Sequence, residues 1–123
     1  MIESGLKHTS TAVVTEALSA RVMGSGDLPV YATPAMTALM ENAAMLAVAG
    51  ELPEGSTTVG GRIEVSHMAP TPIGATVTAT ATLEKVDGRK FYFSVIAMQG
   101  DTVIGEGIHL RFVVDRERFM SKL

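Results

Sequence analysis

Residues 33–50 read Thr33-Pro34-Ala35-Met36-Thr37-Ala38-Leu39-Met40-Glu41-Asn42-Ala43-Ala44-Met45-Leu46-Ala47-Val48-Ala49-Gly50. The stretch predicts one helix with defined ends. Thr33 suits the N-cap, where its hydroxyl can accept from an orphan N–H of the first turn. Pro34 follows at the first helical position, where a missing N–H costs nothing. Gly50 suits a left-handed C′ residue that stops the helix. The body is Ala, Met and Leu, good helix formers. It is apolar nearly all round, which predicts burial on every side. Glu41 is the only charge between Thr33 and Gly50. A carboxylate on a buried helix is costly unless it is paired, hydrogen-bonded or neutralised.

Outward from this helix, the chain has the length of one domain, 123 residues. A helix buried all round needs a sheet on one side and a partner subunit on the other, so a homodimer is expected. The net charge of −3 gives no reason to expect nucleic acid or an anionic membrane as a partner. The absence of cysteine removes disulfide and thiolate chemistry and fits a reducing compartment such as the cytoplasm. Met1 to Ser10 has no apolar core of a signal peptide, and no apolar run approaches the ~20 residues of a membrane span. The C-terminal Ser121-Lys122-Leu123 spells a peroxisomal address, against the simpler reading of a charged, frayed end.

Before the helix, His8 to Leu18 is rich in Thr and Val and predicts a strand. Ser19 to Tyr31, with Gly24, Gly26 and Pro29, predicts a loop with a short helical turn. After the helix, Ser56 to Met68 predicts a strand interrupted by Gly60-Gly61, a bulge or a close backbone approach. Thr76, Thr78, Thr80 and Thr82 alternate with Val77, Ala79, Ala81 and Leu83, a strand with one polar and one apolar face. Val86-Asp87-Gly88-Arg89 is a hairpin turn, Phe91 to Met98 the returning strand, and Thr102 to Val114 the last, with Gly105 and Gly107 at bulges or bends. One long central helix and a curved antiparallel sheet of about five strands make an α+β fold of the hot dog type, in a single domain over residues 1–123.

The candidate chemistry centres on this helix. Ile63, Val65 and His67 share a strand face, and two of the three are apolar, so His67 should look inward toward the helix of Glu41. An inward His near a buried Glu is a usual acid–base unit, against the alternative of a core histidine bonded to backbone. His8 and His109 read as terminal and as solvated or core residues. Three dispersed His without Cys make no metal signature, and no cofactor motif is present. Thr33 is first a helix cap, yet a hydroxyl at a helix N-terminus could also bind or attack a carbonyl. Thr33 and Glu41 lie roughly 12 Å apart along an ideal helix and cannot bond directly. Met36, Met40, Met45, Met68 and Met98 suit adaptable core filling or an acyl pocket.

Val30-Tyr31-Ala32-Thr33-Pro34, Glu41, Gly60-Gly61 and Ser66-His67-Met68-Ala69-Pro70, with spacings Thr-x7-Glu and Glu-x25-His, resemble the hot dog thioesterases related to fluoroacetyl-CoA thioesterase. The resemblance implies hydrolysis of an acyl-CoA to a free acid and CoA. It implies Thr33, Glu41 and His67 as catalytic residues: Glu41 as base or nucleophile, His67 as general acid/base, Thr33 orienting or attacking the acyl group. It puts Gly60, with Gly61 and Tyr31 beside it, against the substrate. CoA would be held by surface cations, with Arg62, Arg89, Lys90, Arg111 and Arg116 all open. Ser19 to Ala32 lacks the phenylalanines of the fluoroacetyl-specific lid, which predicts a short or medium acyl-CoA rather than fluoroacetyl selectivity. Two rival readings share the fold: a non-catalytic acyl-CoA-binding or sensing domain, and a hydratase or dehydratase, whose Asp–His pair in a different local pattern is not found in this sequence.

Overall fold

The computed structural model describes residues 2–123; Met1 lies outside the described residues. The elements are β1 (Lys7–Val13), a 3-10 turn (Glu16–Leu18), α1 (Ala20–Met23), α2 (Thr33–Ala49), β2 (Ser56–His67), β3 (Thr76–Asp87), β4 (Lys90–Gln99), β5 (Thr102–Asp115) and α3 (Arg116–Ser121). The five strands form one antiparallel sheet in the order β1-β3-β4-β5-β2, so β1 and β2 are its edges. This is the expected hot dog arrangement, with α2 lying on one sheet face.

The period of two in β3 fixes that face. Val77, Ala79, Ala81 and Leu83 are fully buried and meet α2, while the threonines between them point away. Small alanines on β3 let the helix approach closely enough for Met36, Met40, Ala43, Ala44 and Val48 to be sealed at 0% exposure. Phe91, Phe93, Val95 and Ala97 of β4 continue the same core. Removing a side chain such as Met40 from it would cost about 2–5 kcal/mol.

The structure corrects the helix in three respects. Burial is one-sided within the chain: Ala38, Asn42, Leu46 and Ala49 form an exposed stripe, because one sheet covers only one side of a cylinder. The N-cap is Ala32, whose carbonyl accepts the first helical bond from Met36, so Thr33 is already helical and its hydroxyl caps nothing. Gly50 is right-handed (φ −73°) and the left-handed turn falls later, at Gly55 (φ 84°).

The expected first strand stops at Val13, where the chain leaves the sheet edge for the 3-10 turn, and α1 is the short helical turn anticipated in the following loop. Its loop is tied back by Ala20 N–H to the Val30 carbonyl (2.8 Å) and Arg21 N–H to the Leu28 carbonyl (3.2 Å). The β3–β4 hairpin turns on Gly88 (φ 62°) and Arg89, a first central glycine as a type II′ turn requires. The Gly60-Gly61 interruption is a bulge that shifts the β2–β5 register between Gly60 and Arg62. Gly107 is needed for close approach rather than a bend: a Cβ there would run into the Glu64 carbonyl of the neighbouring strand. The charged tail is the ordered helix α3 rather than a frayed end, its N-terminus capped by Asp115 accepting from Arg118 N–H at 2.9 Å.

Candidate active site

Two clusters of polar side chains meet α2. The first lies at its N-terminus. The edge position of β2 and its alternation turn Ile63, Val65 and His67 toward the helix, as the sequence predicted, while Arg62, Glu64 and Ser66 are exposed. Freed from capping, the Thr33 hydroxyl lies 2.7 Å from His67 Nδ1. Tyr31, 2% exposed, meets the His67 ring edge-on with centroids 6.4 Å apart. Burial pushes the Tyr31 phenol up to about 12, so it stays protonated at neutral pH. Burial also pushes His67 below the ordinary histidine value, which favours the neutral ring. Its Nε2 is buried and has no hydrogen-bond partner among the described residues. Thr33, His67, Tyr31, Val30, Met68 and Pro70 line one pocket of about 330 Å³.

The second cluster surrounds Glu41, two turns further along the helix. Its side chain is 40% exposed, so the expectation of a buried carboxylate does not hold within one chain: Glu41 lies at the margin of the covered face. Its Oε2 faces the bulge of β2, and a Cβ on Gly60 would sit 2.9 Å from it, so a glycine leaves this carboxylate its room. Behind lie two buried residues of β5, His109 (3% exposed) and Arg111 (6% exposed). Arg111 Nη1 is 3.9 Å from Glu41 Oε2, and His109 Nε2 is 4.0 Å from the same oxygen. Arg111 donates from Nε to Thr58 Oγ1 (2.8 Å) and from Nη2 to the Thr58 carbonyl (2.9 Å). Burial lowers the Arg111 pKa and Glu41 raises it; the guanidinium remains a cation. Burial is also the largest cause of a lowered His109 pKa, assisted by Arg111 and opposed by the Arg62 carbonyl and Glu41.

Of the predicted site residues, Thr33, His67 and Tyr31 therefore come together, and Glu41 comes together with Gly60. The two groups are separate within the chain: the side chains that approach Glu41 Oε2 are Arg111, its cation, and His109, not His67. Gly61 is the extra residue of the bulge and is packed under the Phe112 ring, where a Cβ would collide. Its contribution is to shape the backbone beside Gly60. The sequence reading had His109 as a solvated or core residue, and it is core, and Arg111 as one of the surface cations; it missed that the two meet at Glu41. The available signal was the alternation of the last strand, which puts both on the sheet face they share with their cross-strand partners Phe93 and Phe91. Burial removes Arg111 from the surface cations open to CoA; Arg62 is exposed and paired to Glu64 at 2.8 Å.

With this geometry in view, known proteins give it a place. The family profile of FlK, the fluoroacetyl-CoA-specific thioesterase, matches residues 14–117. The fluoroacetyl-CoA thioesterase of Streptantibioticus cattleyicolor is 44% identical over 94 residues, 76% of this chain and 68% of that protein. The solved structure of the fluoroacetyl-CoA thioesterase FlK superposes with a TM-score of 0.91 at 37% identity, covering 99% of this chain and 95% of the other. A thioesterase superfamily member from Thermus thermophilus gives a TM-score of 0.91 at 28% identity over 99% and 90%. A hot-dog-like protein from Thermanaerovibrio acidaminovorans gives 0.88 at 25% over 98% and 90%. The chain belongs to the family of fluoroacetyl-CoA-specific thioesterases.

Proposed function

We propose that this chain hydrolyses a short or medium acyl-CoA to the free acid and CoA, with Thr33, Glu41 and His67 as its catalytic residues. The observation that carries the reading is the 2.7 Å contact between Thr33 Oγ1 and His67 Nδ1, a threonine and a histidine brought together at a helix N-terminus. The exposed Thr33 hydroxyl, held against a ring nitrogen in a pocket that both residues line, can pass a proton between substrate and the histidine. Free N–H groups of the first helical turn favour the oxygen on which negative charge develops.

Water adds to the thioester carbonyl and the C–S bond breaks. Glu41 accepts the proton of the attacking water, or attacks the carbonyl itself to give an anhydride that water then opens. His67, neutral at the start, takes up the proton released by the attacking water, by way of Glu41 in the first route and directly in the second, and returns it to the departing CoA sulfur, so both residues end as they began. Thr33 orients the acyl carbonyl, Tyr31 walls the acyl group, and the backbone of Gly60, with Gly61 behind it, lines the space beside Glu41.

The separation of the two clusters suggests how the site is completed. Gly60 and His67 are seven residues apart on β2, roughly 24 Å of extended strand. β2 is a sheet edge with unpaired backbone groups, and α2 leaves Ala38, Leu46 and Ala49 exposed. A homodimer in which the two β2 strands pair antiparallel, centred between Gly60 and His67, covers both. That register brings Glu41 of one copy beside Thr33 and His67 of the other, giving two equivalent sites per dimer.

The lid segment supports an acyl preference broader than fluoroacetyl. Val22, Met23 and Leu28 of this segment are 55%, 44% and 62% exposed and contribute no aromatic closure. Selecting fluorine over hydrogen needs a dry pocket shaped around the α-carbon, since a small apolar difference alone supplies only about 1–3 kcal/mol. Thiol release from fluoroacetyl-, acetyl-, butyryl- and a branched acyl-CoA tests the proposal. Turnover with less than roughly 10³-fold preference for fluoroacetyl over acetyl is expected, because a larger ratio would need about 4 kcal/mol of discrimination. CoA esters that bind without being hydrolysed would replace the enzyme with a binding domain.

A further inference from the structure

His109 is the one buried histidine outside the proposed catalytic set, and its hydrogen bonds define its protonation. Nδ1 lies 2.7 Å from the Arg62 carbonyl, which can only accept, so Nδ1 carries a proton. Nε2 lies 3.1 Å from Arg111 Nη1, which can only donate, so Nε2 presents a lone pair. Both bonds are satisfied together by one species, the neutral Nδ1–H tautomer. An imidazolium would set two donors face to face beside a second cation.

Arg111 is fastened at its other edge by Thr58, through Nε and Nη2. Its Nη1 edge has two neighbours: His109 Nε2 at 3.1 Å, within hydrogen-bond distance, and Glu41 Oε2 at 3.9 Å, beyond it. A buried guanidinium without an acceptor on that edge would draw in the nearest carboxylate, because an unpaired buried charge is costly. Glu41 is that carboxylate, and its half-exposed side chain can move.

We infer that His109 is a positioning residue: held by the Arg62 carbonyl in its Nδ1–H form, it accepts from Arg111 and so keeps the guanidinium facing Glu41 without capturing it. Glu41 then feels a nearby positive charge while its oxygens remain free for water or the acyl carbon. This rests on the proposed catalytic role of Glu41. The surroundings of the imidazole suit that role, since Phe93 packs against the ring with centroids 6.3 Å apart and Thr58 is already engaged at the far edge of the guanidinium.

Two measurements test it. In the parent protein labelled with 15N-histidine, long-range 1H–15N spectra should show His109 with Nδ1 protonated and Nε2 bare, the reverse of the form free histidine prefers. In kinetics, H109L removes the acceptor, whereas H109Q can return an amide oxygen near the place of Nε2. H109L should lower kcat about tenfold or more with KM changed less than about threefold, H109Q should stay within about threefold of the parent, and H109L should add nothing to an R111L background. Circular dichroism identifies any variant that fails to fold, and the tautomer measurement needs no variant. An Nε2–H ring in an active parent, or folded H109L and H109Q proteins with equal losses, overturns the positioning role alone. A parent inactive on every acyl-CoA overturns the thioesterase reading instead.

Discussion

Mixing two inactive variants tests the geometry of the site most sharply. Glu41→Ala and His67→Ala should each lower turnover by about 10²-fold or more, as expected on removing an acid–base group. If each site takes Glu41 from one copy and the Thr33–His67 pair from the other, a heterodimer of the two variants has two unlike sites. One lacks both residues. The other has an intact Glu41 from the H67A copy and an intact Thr33–His67 pair from the E41A copy. Random reassortment of an equal mixture makes half the dimers hetero, and each has one working site of two, so about a quarter of the parent activity should return. Co-expression with two different affinity tags isolates the heterodimer, which should then show about half. The assay is thiol release from acetyl- or butyryl-CoA. The separation behind this expectation is in the chain itself, where Glu41 meets His109 and Arg111 while His67 meets Thr33. A purified heterodimer no more active than either variant would refute the seam and place all three residues of a site in one chain.

Thr33→Ala should lower turnover less than the other two and move Tm little, since the hydroxyl caps nothing and loses a single hydrogen bond of about 0.5–1.5 kcal/mol; a large drop in Tm would contradict this. Gly60→Ala puts a Cβ 2.9 Å from Glu41 Oε2, at the end of a flexible side chain, so the fold should persist while turnover falls about tenfold; unchanged turnover counts against Glu41's role. Gly107→Ala drives a Cβ into the Glu64 carbonyl, which backbone pairing holds, and should cost about 1–3 kcal/mol or more by urea unfolding. His67 and His109 both have folded pKa values below the ordinary 6.5 because of burial. Between those values the unfolded chain binds more protons, so their contribution to stability is complete above about pH 6.5 and falls as pH drops toward the folded values. Urea midpoints at pH 7.5, 6.5 and 5.5 should show this decline, and a double His-to-Gln variant in which the slope is unchanged would rule it out.

The sequence alone determined what depends on local chemistry and period. The apolar run after Pro34 specified α2, and the Thr/Val/Ala alternation of β3 specified both a strand and its buried face, because side-chain direction follows backbone repeat. The same rule turned His67 inward. Helix ends were less legible: the capping power of Thr33 is real, but the hydroxyl goes to His67, a partner 34 residues away in sequence whose position only the folded sheet supplies. Covering α2 on one side, and leaving Glu41 at the edge of that cover, also depends on how far one sheet can wrap a helix. The Arg111–His109–Thr58 network was hidden for a further reason. A cation on a strand looks solvated in sequence and a histidine solvated or core, and the two become a buried network only when β5 packs beside β2 and sets Thr58 and the Arg62 carbonyl against them. Hydrogen-bond partners far apart along the chain are chosen by register and packing, which no local pattern encodes.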